Sequence, residues 1–195
     1  FTGVRSYDVP LAELVPYIDW MPFFNAWEFA GKFPDAPTDP VIGEAASNLY
    51  ADARRMLRQM IDGNWVHARA VVGFFPANAR DDDIEVYVDE SRTEVLARLH
   101  HLRQQKAKPE GQSHLALADF VSPAGSGVPD WIGAFAVTAG VGVDDKVREF
   151  EARHDDYSAI LLKALADRLA EALAERMHAR VRREFWGPSP PAVKR

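Results

Sequence analysis

The stretch HDDYSAILLKALADRLAEALAERMHARVRREFW, residues 154–186, runs for more than thirty positions without a Gly or Pro and decides how the rest of the chain is read. It predicts one long helix. Asp155 and Asp156 stand where a helix N-terminus favours negative charge, and Arg176, Arg180, Arg182 and Arg183 crowd the end that favours positive charge. Leu161, Leu165, Leu169, Leu173, Met177, Val181 and Phe185 recur every fourth residue, which overshoots a turn of ~3.6 residues and winds the apolar stripe around the helix. At about 45 Å for roughly 30 residues, such a helix is a backbone on which different elements pack at different levels.

Outward from that helix, the composition bounds the rest. The chain has 195 residues, 47% hydrophobic and 27% charged, which is enough for one well-buried core and makes one domain the default. A net charge of -6 argues against general nucleic-acid binding, which needs Lys and Arg against phosphates. With no cysteine there is no disulfide framework, thiol nucleophile or thiolate metal site, and a cytoplasmic address is compatible. No apolar run reaches the ~20 residues of a membrane span. The start at Phe1 without Met and the ending PSPPAVKR read as a fragment with a terminal tail over 188–195.

Pro10, Pro16 and Pro22 break the aromatic-rich N-terminal region into two or three short helical turns. Its aromatics read as core filling. Asp19, between Ile18 and Trp20, needs a partner, and on residues alone a helix cap and a ligand contact are both open. Residues 41–62 predict an amphipathic helix stopped by Gly63. Strands follow: a run ending at Pro76, then IEVYVDE, then RTEVLARLHHLRQQ, which fits helix or strand periods and is taken as a strand hairpinned to its predecessor. Asp81 to Asp83 read as a solvated turn, and adjacent His100 and His101 point to opposite faces, so no metal site is expected there. WIGAFAVTAG, 131–140, predicts a buried strand, and Gly140-Val141-Gly142 lacks the third glycine of a phosphate-binding loop. DDKVREFEARHD predicts a short helix before the long one. The expected class is α+β, a central twisted antiparallel sheet flanked by helices with one long C-terminal helix.

Identity comes from resemblance. YIDWMPFF (17–24), GFFPAN (73–78), LRQQ (102–105), LADFVSP (117–123), DWIGAFAVTAG (130–140) and the block from His154 to Gly187 resemble, in order, the activation domain of cobalamin-dependent methionine synthase. The resemblance implies a C-terminal module, residues 1–187, that binds S-adenosylmethionine for reductive methylation of cob(II)alamin, within a methyltransferase of methionine biosynthesis. Its partners would be the enzyme's cobalamin (vitamin B12) domain, absent here, and flavodoxin or an equivalent reductant. Asp19 matches the family's acidic contact to the S-adenosylmethionine amino group, and Glu171 matches a glutamate near the same site. An RPAPGYPACP-like segment that supplies much of that site in the family is not found, so the fragment alone is expected to be inactive. The alternative is an interaction or scaffold domain that docks on a cobalamin domain or flavodoxin without binding the methyl donor. No catalytic residue or metal ligand is expected.

Overall fold

A computed structural model describes residues 1–29 and 43–186. Gly187, the 188–195 tail and the first two positions of the 41–62 helix lie outside the described residues. The chain divides into two compact units, one made of Phe1–Arg5 with Val72–Phe135, the other of Ser6–Val71 with Ala136 onward.

In the first unit, β3 (Asp83–Tyr87) pairs antiparallel with β2 (His67–Arg80) on one side and β4 (Val95–His100) on the other. Opposite strands at Tyr87 and Val95 make the hairpin expected from sequence, with a register irregularity after Val86. The sheet order is β1-β2-β3-β4, with β1 at Gly3–Val9, and β5 (Asp130–Val141) also pairs β2, whose length gives room for more than one neighbour. This is the α+β antiparallel architecture that the sequence implies. Three readings need correction. The strand expected to end at Pro76 runs through it to Arg80; the register with β3 begins at Ala77, so the missing Pro76 N–H falls outside that ladder. The 131–140 strand exists, but Ala139 is its one buried residue, because an apolar run cannot say whether a second layer covers it. Strand β1 carries too mixed a sequence, GVRSYDV, to stand out beside Pro10 as a strand.

Ala77, Ala79, Ile84 and Ala118 form a small apolar core in this unit. Polar clamps do much of the remaining work. Buried Asn78 donates to the Ser122 and Val128 carbonyls and accepts from Arg92, which also donates to the carbonyls of Ala77 and Asp130. These bonds hold Arg92 at a φ of 55°, in the left-handed region. Arg103 of the LRQQ block grips both carboxylate oxygens of Asp119 at 2.8 Å and also donates to Asp82 and the His114 carbonyl. Thus the expected solvated turn at 81–83 is a turn, but Asp82 is tied to Arg103 and Asp83 to His100. The Arg103 guanidinium, with the Ala116 N–H, holds Asp119 down at about 2. Because the folded value lies below the ordinary 3.8, this stabilisation is complete above 3.8 and is lost as pH falls through about 2. Urea unfolding of wild type and Asp119→Asn should therefore show a stability gap that closes across that window; a gap independent of pH would contradict it.

The second unit is helical. The 3-10 turns Leu11–Glu13 and Val15–Tyr17 precede α1 (Met21–Ala26), as the prolines predict. Helix α2 spans Gly43–Asp62, α3 Val143–Glu151 and α4 Asp156–Arg180. Gly142 caps α3 at φ 95°, where an added Cβ would sit 2.9 Å from the Trp65 carbonyl oxygen; it serves helix entry and close packing. Leu161, Leu165, Leu169, Leu173 and Met177 are buried as the stripe predicts, along with Ala159, Leu162, Ala166 and Ala172. α1, α2, α3 and the Val15–Tyr17 turn all pack on α4. The long helix differs from expectation at its end: Val181–Phe185 is a π-turn, closed by Trp186 N–H to the Val181 carbonyl at 2.8 Å. The widened turn stacks Phe185 on Tyr7, 5.5 Å between centroids. Among the described residues no helix is long and apolar enough to cross a membrane.

Candidate functional site

Helix α4 starts where the sequence places it, because the Asp155 carboxylate accepts the Ser158 N–H at 3.0 Å. With its leucines turned inward, α4 leaves a stripe at Tyr157, Ile160, Ala164, Glu171, Glu175, His178 and Arg182, which lie within about 60° of one another around the axis. Tyr157 and Ile160 are 44% and 55% exposed, unusual for apolar side chains on a helix that is otherwise the unit's core.

The segment from Tyr17 to Trp27 runs antiparallel to this helix. Tyr17 lines a cleft with Arg176 and Ala179 near the helix's C-terminal end, and the Trp27 ring meets Tyr157 edge-on at 5.5 Å near its start. Asp19 lies in the link between the Val15–Tyr17 turn and α1, both of which pack on α4, the helix that carries Glu171. The YIDWMPFF block splits by direction. Phe23 and Phe24 are buried, Trp20 packs edge-on to Phe23 and Tyr50 at 5.5 and 4.9 Å, and Asp19 is left exposed.

Each carboxylate already has one structural duty. Asp19 Oδ1 accepts the Met21 N–H at 2.9 Å, closing a turn into α1; the residue at the N-cap position is Trp20, so Asp19 is not itself the cap. Both Glu171 oxygens accept from Arg168, at 2.5 and 2.9 Å, and Arg168, buried, also donates to Asp167. A carboxylate offers about four lone-pair sites, so each retains acceptor capacity towards a cation beyond these bonds. The intrahelical bonds orient Glu171, and Arg168 is shared with Asp167. Tyr157, which sequence reasoning passed over, donates to Asp52 at 2.9 Å; burial, then the Asp52 carboxylate, push its hydroxyl up to about 12. Its signal was an aromatic in the first turn of a helix whose inward face was already filled. Among the described residues no group of three His, Cys, Asp or Glu side chains could hold a metal ion. Asp19 and Glu171 are both exposed carboxylates, the kind of group that pairs with a cationic ligand.

A family described as vitamin B12 dependent methionine synthase, activation domain, matches residues 10–192. A solved structure, described as the MetH reactivation domain bound to AdoHcy, is similar over 99% of this chain with 49% sequence identity and a TM-score of 0.92. The match covers 59% of that chain, so the present chain spans about three-fifths of its length.

Proposed function

Because the chain belongs to the activation-domain family of vitamin B12 dependent methionine synthase, we propose that residues 1–187 act as its reactivation module and bind S-adenosylmethionine along Asp19 and the exposed face of α4. The observation that carries this reading is the likeness, at 49% identity, to a reactivation domain described as bound to AdoHcy, the thioether left when S-adenosylmethionine gives up its methyl group.

In this reading Asp19 pairs with the ligand's ammonium, and Glu171 adds negative potential that favours the cationic sulfonium form. The S–CH3 bond breaks with its electron pair staying on sulfur. The acceptor would be a cobalamin carried by a neighbouring domain, which, once reduced by one electron by a flavodoxin-type donor, would supply the nucleophile for the methyl group. The chain's own part is to bind and orient the donor, not to supply an acid, base or nucleophile. A cytoplasmic setting fits these partners.

Calorimetric titration of the chain with S-adenosylmethionine tests the proposal. Saturable heats at one site per chain, displaced by S-adenosylhomocysteine, are expected. Heats no larger than dilution would remove the ligand from this chain's function.

A further inference from the structure

We infer that the cleft between the 3-10 turns of residues 11–17 and the end of α4 is a subsite for an oxyanion, a phosphoryl or carboxylate group. It encloses about 370 Å³, within the range of small-ligand sites. It does not coincide with the face that carries Glu171, since Arg176 lies five residues on, about 140° around the helix.

Three arginines and two glutamates line it, in a chain of net charge -6. Arg176 is taken up by Glu13 at 3.3 Å. Arg180 is fixed from several sides: Glu184 accepts from its Nε at 2.8 Å, and its guanidinium lies 4.6 Å from the Tyr7 centroid and 5.0 Å from that of Phe185. Arg183 is left, exposed and paired with no carboxylate among the described residues. The cleft therefore holds one surplus positive charge beside a pre-positioned guanidinium, with Tyr17 on its wall. An arginine at a helix C-terminus also serves the helix dipole, but that role needs no cleft and no locked neighbour. Paired guanidinium groups with one free fork match the planar or tetrahedral oxygens of an anion.

The test is an NMR titration of the arginine Nε–H signals of the chain with inorganic phosphate and, separately, with oligoglutamate, at constant ionic strength. Saturating shifts of the Arg180 and Arg183 signals are expected. Arg183→Gln should raise the apparent Kd about tenfold, while Arg58→Gln, the same charge change on exposed α2 surface, should leave it unaltered. Tighter binding of phosphate assigns the subsite to a small molecule, and tighter binding of oligoglutamate assigns it to acidic side chains of another protein; either supports the subsite. No saturation with either anion, or an equal effect of the two substitutions, would overturn it.

Discussion

Leu169→Ala lowers the unfolding free energy by about 3 kcal/mol. Leu169 is fully buried near the middle of α4, and α1, α2, α3 and the Val15–Tyr17 turn all pack on that helix. Truncation loses the transfer free energy of the removed methyl groups and leaves a cavity that close-packed neighbours fill only in part. Leu102→Ala, the same chemical change at a side chain 91% exposed, should cost less than about 0.5 kcal/mol. Chemical denaturation of both variants gives the comparison, and equal midpoints would deny α4 its role as the centre of the helical unit.

Asp19→Ala should weaken S-adenosylmethionine binding about thirtyfold, the loss of one charge-assisted hydrogen bond worth ~2 kcal/mol. The alanine variant also loses the bond to Met21 N–H, so a fall in affinity could follow from a displaced α1. Asp19→Asn separates the two causes. Its side-chain oxygen still accepts from Met21, so stability should stay near that of wild type while affinity falls nearly as far as in the alanine variant. If the asparagine variant binds as tightly as wild type, Asp19 serves only the turn into α1 and the ligand contact lies elsewhere.

Much of the fold could be read because its signals were local. The acidic cap at Asp155, the absence of Gly and Pro from 154 to 186, and the fourfold leucine spacing all fix α4 without reference to the rest of the chain. The strand choice at 95–100 rested on a short link to its neighbour, which is also local. What escaped depends on partners distant in sequence. The π-turn at Val181–Phe185 accompanies stacking on Tyr7, and the exposure of β5 depends on what lies over it. The motifs of the first unit show a related limit. Asn78 of GFFPAN and Arg103 of LRQQ belong to blocks that carry the family resemblance, and both tie loops to the sheet through bonds that no spacing rule announces. At the candidate site, resemblance supplied Asp19 and Glu171, and chemistry on the sequence could give only the competing duties, a cap and an Arg168 partner. Tyr157 needed the structure, because its exposure and its bond to Asp52, 105 residues away, are tertiary facts.

The central claim is that one surface, made by the Asp19 segment and the exposed stripe of α4, receives the methyl donor. Backbone amide NMR of the chain titrated with S-adenosylmethionine tests it most directly. The account predicts progressive shifts concentrated at residues 17–21 and around Glu171 and Glu175 on α4, with little change in the β2–β4 strands. Shifts confined to those strands, or none at saturating ligand, would contradict it.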